Sequence, residues 1–119
     1  MKKTILICDD DKDILELCTF ILIKNYHIKT APEISSARHL IAEQQPDLVL
    51  MDLWIPKIGG EAALSELKKS PDTASIPIIL FSANEKIKTI ASDLNADGYI
   101  KKPFSVQYLK SYISEKIGS

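Results

Sequence analysis

Cysteine is scarce in this chain, which has only Cys8 and Cys18. Two cannot build a disulfide framework or a thiolate metal set, and both stand among aliphatic residues, where a free thiol behaves as a small buried hydrophobe. The two histidines, His27 and His39, are isolated, so no His/Cys ligand set arises. Glycine is limited to four residues, and neither G-x-G-x-x-G nor a P-loop occurs. An excess of one charge is also missing. The 15 Lys and Arg against 16 Asp and Glu leave a net charge of -1, which offers no basic field to nucleic acid or an anionic membrane. No apolar run approaches the roughly 20 residues of a membrane span. Met1-Lys2-Lys3 leads into an apolar stretch that ends at Asp9, too short and too acidic for a secretory signal. The expectation is a cytoplasmic protein with no direct contact to membrane or nucleic acid.

What is present fits one compact domain over residues 1–119, at 45% hydrophobic and 26% charged. Short apolar runs alternate with longer amphipathic stretches. Thr4–Cys8, Leu48–Met51 and Ile78–Phe81 are unbroken apolar runs that suit strands buried on both faces of a parallel sheet. His27–Ala31 and Gly98–Ile100 are weaker and suit edge positions. Between them lie helical spacings: Ile14, Leu17, Cys18, Ile21 and Leu22 after Asp11 or Asp13 as cap; Ala37, Leu40 and Ile41 before Pro46; Ala63, Leu64 and Leu67 within 60–69. Two more follow, one capped by Asn84 and one by Ser105. Five strand–helix units in alternation predict an α/β sandwich with a mainly parallel sheet. Sites in such sheets lie beyond the carboxyl ends of the strands, where the strand order reverses.

The polar residues at those ends form a pattern. Asp9-Asp10-Asp11 follows the first run, Asp52 the third and Ser82 the fourth, and the fifth leads into Lys101-Lys102-Pro103. Each alone has an ordinary explanation: a helix cap, a turn residue, a surface charge. Those explanations do not account for all four at successive strand ends. Carboxylates converging on one crevice raise each other's pKa unless a cation intervenes, and hard oxygen ligands select Mg²⁺ or a similar ion. A lysine and a hydroxyl facing that metal complete a pocket for a phosphoryl group.

Four segments carry a resemblance: ILICDDD (Ile5–Asp11), LVLMDLWIPKIGG (Leu48–Gly60), PIILFSA (Pro77–Ala83) and ADGYIKKPF (Ala96–Phe104). In order and spacing the chain is similar, over essentially its full length, to the receiver domains of response regulators in bacterial two-component systems, including chemotaxis regulators. The resemblance implies a doubly wound (βα)5 flavodoxin-like sandwich with a five-stranded parallel sheet of order 2-1-3-4-5. It implies that Asp52 accepts a phosphoryl group, and that Asp9, Asp10, Asp52 and the backbone carbonyl of Trp54 hold Mg²⁺. Ser82 is then the hydroxyl partner and Lys102 the counter-charge, with Lys101 a bystander and Lys102-Pro103 a cis bond. Ser82 and Tyr99 are the implied switch residues, altering the face built from the fourth helix, fifth strand and fifth helix.

On the same resemblance the chain is not an enzyme but a phosphoacceptor that assists its own phosphorylation and dephosphorylation. Its partners would be a sensor histidine kinase or phosphotransfer protein and a downstream effector protein or output domain, with a phosphorylation-dependent homodimer as a further option. Trp54 is a large ring where many relatives carry smaller or polar groups, and the expectation is slower phosphoryl loss than in a Trp54→Asn variant. Two rivals stand beside this reading. A haloacid-dehalogenase-type phosphohydrolase would use Asp9-x-Asp11, but Lys12-Asp13 follows where that family needs a Thr or Val. A degenerate, phosphorylation-independent receiver module is opposed by the presence of every site residue.

Overall fold

The computed structural model describes residues 2–55, 57 and 59–117. Five strand–helix units follow one another: β1 (Thr4–Cys8), α1 (Lys12–Leu22), β2 (His27–Ala31), α2 (Ala37–Gln44), β3 (Leu48–Asp52), α3 (Gly60–Lys69), β4 (Ile78–Ser82), α4 (Ile87–Asp93), β5 (Gly98–Lys101) and α5 (Val106–Ile117). The strands form one sheet in the order β2-β1-β3-β4-β5, and every pairing is parallel. This is the flavodoxin-like order. The chain moves outward from β1 to β2, then returns to place β3 on the other side of β1, so the order reverses between β1 and β3. That reversal opens a crevice at the carboxyl ends of these two strands.

The period of two along a strand sorts the core. Leu6, Val49, Met51, Ile78 and Leu80 pack against Ala37, Ile41, Ala63, Leu64, Leu67, Ile87 and Ala91 of α2, α3 and α4. Ile5, Ile7, Leu48, Leu50, Ile79 and Phe81 pack against Cys18, Ile21, Leu22, Leu109, Ile113 and Ile117 of α1 and α5. All five residues of β3 and of β4 are buried, as expected for strands covered on both faces, whereas edge strand β2 is largely exposed. The two cysteines fall on opposite sides of the sheet, so they are separate core residues and no disulfide pair. Burial pushes each thiol up to about 12.

Of the expected caps, Asp11 and Ser105 hold and Asn84 does not, and Ser36 caps the second helix in addition. Asp11, Ser36 and Ser105 each accept a backbone N–H in the first turn of α1, α2 and α5. Asn84 accepts instead from the N–H of Lys86, and α4 begins only at Ile87. The Asn84 carbonyl takes the Ile87 N–H, so this residue closes a turn ahead of the helix and does not cap it.

Candidate functional site

Alternation along the strands brings the acids together. Asp52 continues the row Leu48–Leu50 on β3, and Asp9 follows the row Ile5–Ile7 at the end of β1. Both are buried, at 7% and 2% exposure, and both lie at the crevice between β1 and β3. Asp10 stays exposed at its rim. One carboxylate oxygen from each of Asp9, Asp10 and Asp52 lies within 4.8 Å of the others, a spacing that one small divalent cation can bridge.

Lys102 enters from β5. Its amine donates to Asp9 Oδ2 at 2.6 Å and reaches Asp52 Oδ1 at 3.4 Å, so the closer partner is Asp9. The Lys102-Pro103 bond is cis, and the Lys102 N–H donates to the carbonyl of Ser82. Under the amine lies the ring of Phe81, its centroid 4.7 Å away. Phe104 forms a T-shaped pair with that ring, the centroids 5.2 Å apart. One lysine therefore bridges two of the three carboxylates, Asp9 and Asp52. Burial raises the Asp52 carboxyl above its ordinary value, Asp9 and Asp10 push in the same direction, and Lys102 opposes them.

The hydroxyl of Ser82 is buried and accepts the N–H of Asn84 at 3.0 Å, which leaves its own proton available to a new acceptor. Beyond Asp52 the chain turns sharply. The carbonyls of Asp52 and Leu53 take the N–H groups of Ile55 and Gly60, whereas among the described residues no main-chain N–H reaches the carbonyl of Trp54. The Trp54 ring stands in solvent at 71% exposure. Tyr99 is half-buried on β5 against the α2–α4 side of the core, and Lys101 pairs with Glu85 away from the acids.

Sequence reasoning passed over two residues here. Gly60 begins α3 so close to β3 that an added Cβ would lie 2.6 Å from the Asp52 carbonyl oxygen and 2.8 Å from that of Leu53. The adjacent glycines Gly59-Gly60 were the available signal. Phe81 read as one more strand residue, and nothing in its run marks the lysine above it.

The description "Response regulator receiver domain" matches residues 5–114. Transcriptional regulatory protein KdpE of Staphylococcus aureus is 36% identical over 116 residues, covering 95% of this chain and 49% of that protein. A protein of Vibrio cholerae named as a probable cyclic di-GMP phosphodiesterase is 33% identical over 112 residues, covering 92% of this chain and 25% of that protein. Among solved structures, the receiver domain of the sensor histidine kinase PA1611 from Pseudomonas aeruginosa superimposes with a TM-score of 0.83 at 22% identity, each chain fully covered; its description places a magnesium ion in the active-site cleft. The chain belongs to the response regulator receiver domain family. Its function class is two-component phosphorelay signalling, and the phosphohydrolase alternative is not favoured. Receiver domains of this family are generally not enzymes. The chain spans less than half the length of these curated relatives.

Proposed function

We propose that residues 1–119 are a receiver domain that takes a phosphoryl group onto Asp52. The observation that carries this is the placement of a buried Asp52 at the β1/β3 crevice, with Asp9, Asp10 and Lys102 gathered around it. The acid cluster suits Mg²⁺: three carboxylates against one amine leave negative charge that hard oxygen ligands share with a divalent cation. Asp9, Asp10, Asp52 and the backbone carbonyl of Trp54, which takes no main-chain N–H among the described residues, are the proposed ligands. When bound, the ion would supply charge screening between two anions and hold the transferred oxygens.

An Asp52 oxygen attacks phosphorus on a donor such as a partner's phosphohistidine. The new O–P bond forms as the N–P bond breaks, and the imidazole leaves with that electron pair. Lys102 offsets the charge that arrives, and Ser82 turns its hydroxyl proton to a phosphoryl oxygen. Water later hydrolyses the acyl phosphate, so the domain assists its own phosphorylation and dephosphorylation without turning over a separate substrate. Ser82 and Tyr99 are the proposed switch pair. Ser82 leaves the Asn84 N–H, and the half-buried Tyr99 follows on the α4-β5-α5 face.

The proposed partners are a sensor histidine kinase or phosphotransfer protein on the input side and an effector or output domain on the other. KdpE is named a transcriptional regulator and the Vibrio cholerae relative a phosphodiesterase, so outputs in this family differ while the receiver is shared. The near-neutral charge supports a domain that does not itself contact nucleic acid. No helix of the described residues is long and apolar enough to cross a membrane, and a cytoplasmic location is part of the proposal.

Intact mass after acetyl phosphate, with and without Mg²⁺, tests the reading in wild type and Asp52→Asn. The expected result is one added phosphoryl group that requires both the metal and Asp52. A folded wild type that gains none would favour the phosphorylation-independent module.

A further inference from the structure

Phe81 is the only aromatic residue on the three inner strands β1, β3 and β4, and it is buried to 1% exposure. Aliphatic side chains fill that face of the core elsewhere on these strands, so packing alone does not call for a ring here. Its neighbours do. The Lys102 amine lies over the ring, 4.7 Å from its centroid, while Phe104 makes a T-shaped contact with it, the centroids 5.2 Å and the planes 87° apart. Phe81 is also in register with Asp52 on the adjacent strand, which puts the ring and the acceptor carboxylate at the same height.

The amine thus has two anionic partners, Asp9 at 2.6 Å and Asp52 at 3.4 Å, and one aromatic face. A lysine side chain has four flexible carbons, and carboxylates alone leave it free to settle wholly on the nearer acid. The negative face of a ring adds a fixed point below the ammonium, and it counts most where water is largely excluded. The Lys102 side chain is only 18% exposed. We propose that Phe81, oriented by Phe104, is a positioning residue that holds the Lys102 amine within reach of Asp52. The proposal rests on Asp52 as acceptor and Lys102 as its counter-charge.

Placing 3,4,5-trifluorophenylalanine at position 81 keeps the shape of the ring and removes the negative charge of its face. In the full chain with acetyl phosphate and Mg²⁺, the initial rate of phosphoryl uptake by intact mass should fall about tenfold, the rate equivalent of a contact worth ~1.4 kcal/mol. The thermal midpoint should stay at the wild-type value. In a Lys102→Met background the same replacement should leave the rate unchanged, because the ring then has no cation to hold. Phe81→Leu, which keeps an apolar side chain, should slow uptake at least as much with Lys102 present. A trifluoro variant that reacts at the wild-type rate overturns the positioning role, as does equal slowing in both backgrounds. Wild type that gains no phosphoryl group overturns the reading of Asp52 itself, which separates the two failures.

Discussion

The two ends of the sheet use aspartate in opposite ways. At the amino end, Asp47 precedes β3 and Asp97 precedes β5, and each clamps the start of a neighbouring strand. Asp47 gives its N–H to the Thr4 carbonyl and accepts the Thr4 N–H on its carboxylate; Asp97 does the same with Ile78. Lys68 then closes the second site, donating to Asp97 at 2.6 Å and to the carbonyls of Ala74 and Ile76. There each acid has donors supplied by the fold. At the carboxyl end Asp9, Asp10 and Asp52 gather at one crevice, and a single amine reaches only Asp9 and Asp52. A carboxylate matched to backbone donors fixes strand pairing, whereas one left short of donors is available to a cation or a phosphorus atom.

The contrast yields four expectations. The largest concerns space. Gly60→Ala drives a Cβ into the carbonyls of Asp52 and Leu53, and urea unfolding should show a loss of about 3 kcal/mol, at the upper end of overpacking costs. Next, Asp97→Ala strips the acceptor from the N–H of the buried Ile78 and from Lys68, whose side chain is partly open to solvent. A loss of about 2 kcal/mol is expected, with phosphoryl uptake retained.

Asp52→Asn should act with the opposite sign. Because burial raises the Asp52 carboxyl, the folded state holds that proton more tightly than the unfolded chain. The stability from this group is complete below the unfolded carboxylate range and is lost as pH rises through the raised folded value. Without metal, the Asn variant should therefore exceed wild type by about 1 kcal/mol near neutrality, and the gap should narrow toward roughly pH 4. A wild type as stable as the variant at neutral pH would show that Lys102 already compensates the charge. The smallest effect lies at the amino end. Gln45 closes α2 in the left-handed region at φ 47°, and Gln45→Gly should raise stability by roughly 0.5 kcal/mol, read as a higher urea midpoint.

Much of this was legible in order and spacing. Apolar runs such as Leu48–Met51 marked the buried strands, and His27–Ala31, weaker in pattern, lies at an edge. Period-two alternation put Asp52 in one row with Leu48 and Leu50, and the residues gathered at the crevice were those at the ends of the runs. Asn84 shows where local reading stops. A residue type suited to capping also closes a turn, and only the position of the following chain decides which.

The sequence by itself determined which carboxylates, which hydroxyl and which lysine stand at the strand ends, because strand parity and the α/β alternation are properties of neighbours along the chain. Only the tertiary structure decided how they pair. Lys102 is 93 residues from Asp9 and 50 from Asp52, and no local pattern ranks one distant acid above another. The same holds for the Phe81 ring beneath the amine and for the gap that Gly60 keeps open beside Asp52. Those contacts depend on the packing of strands and loops that meet only when the sheet has formed, since charge and close approach act through space and not along the chain.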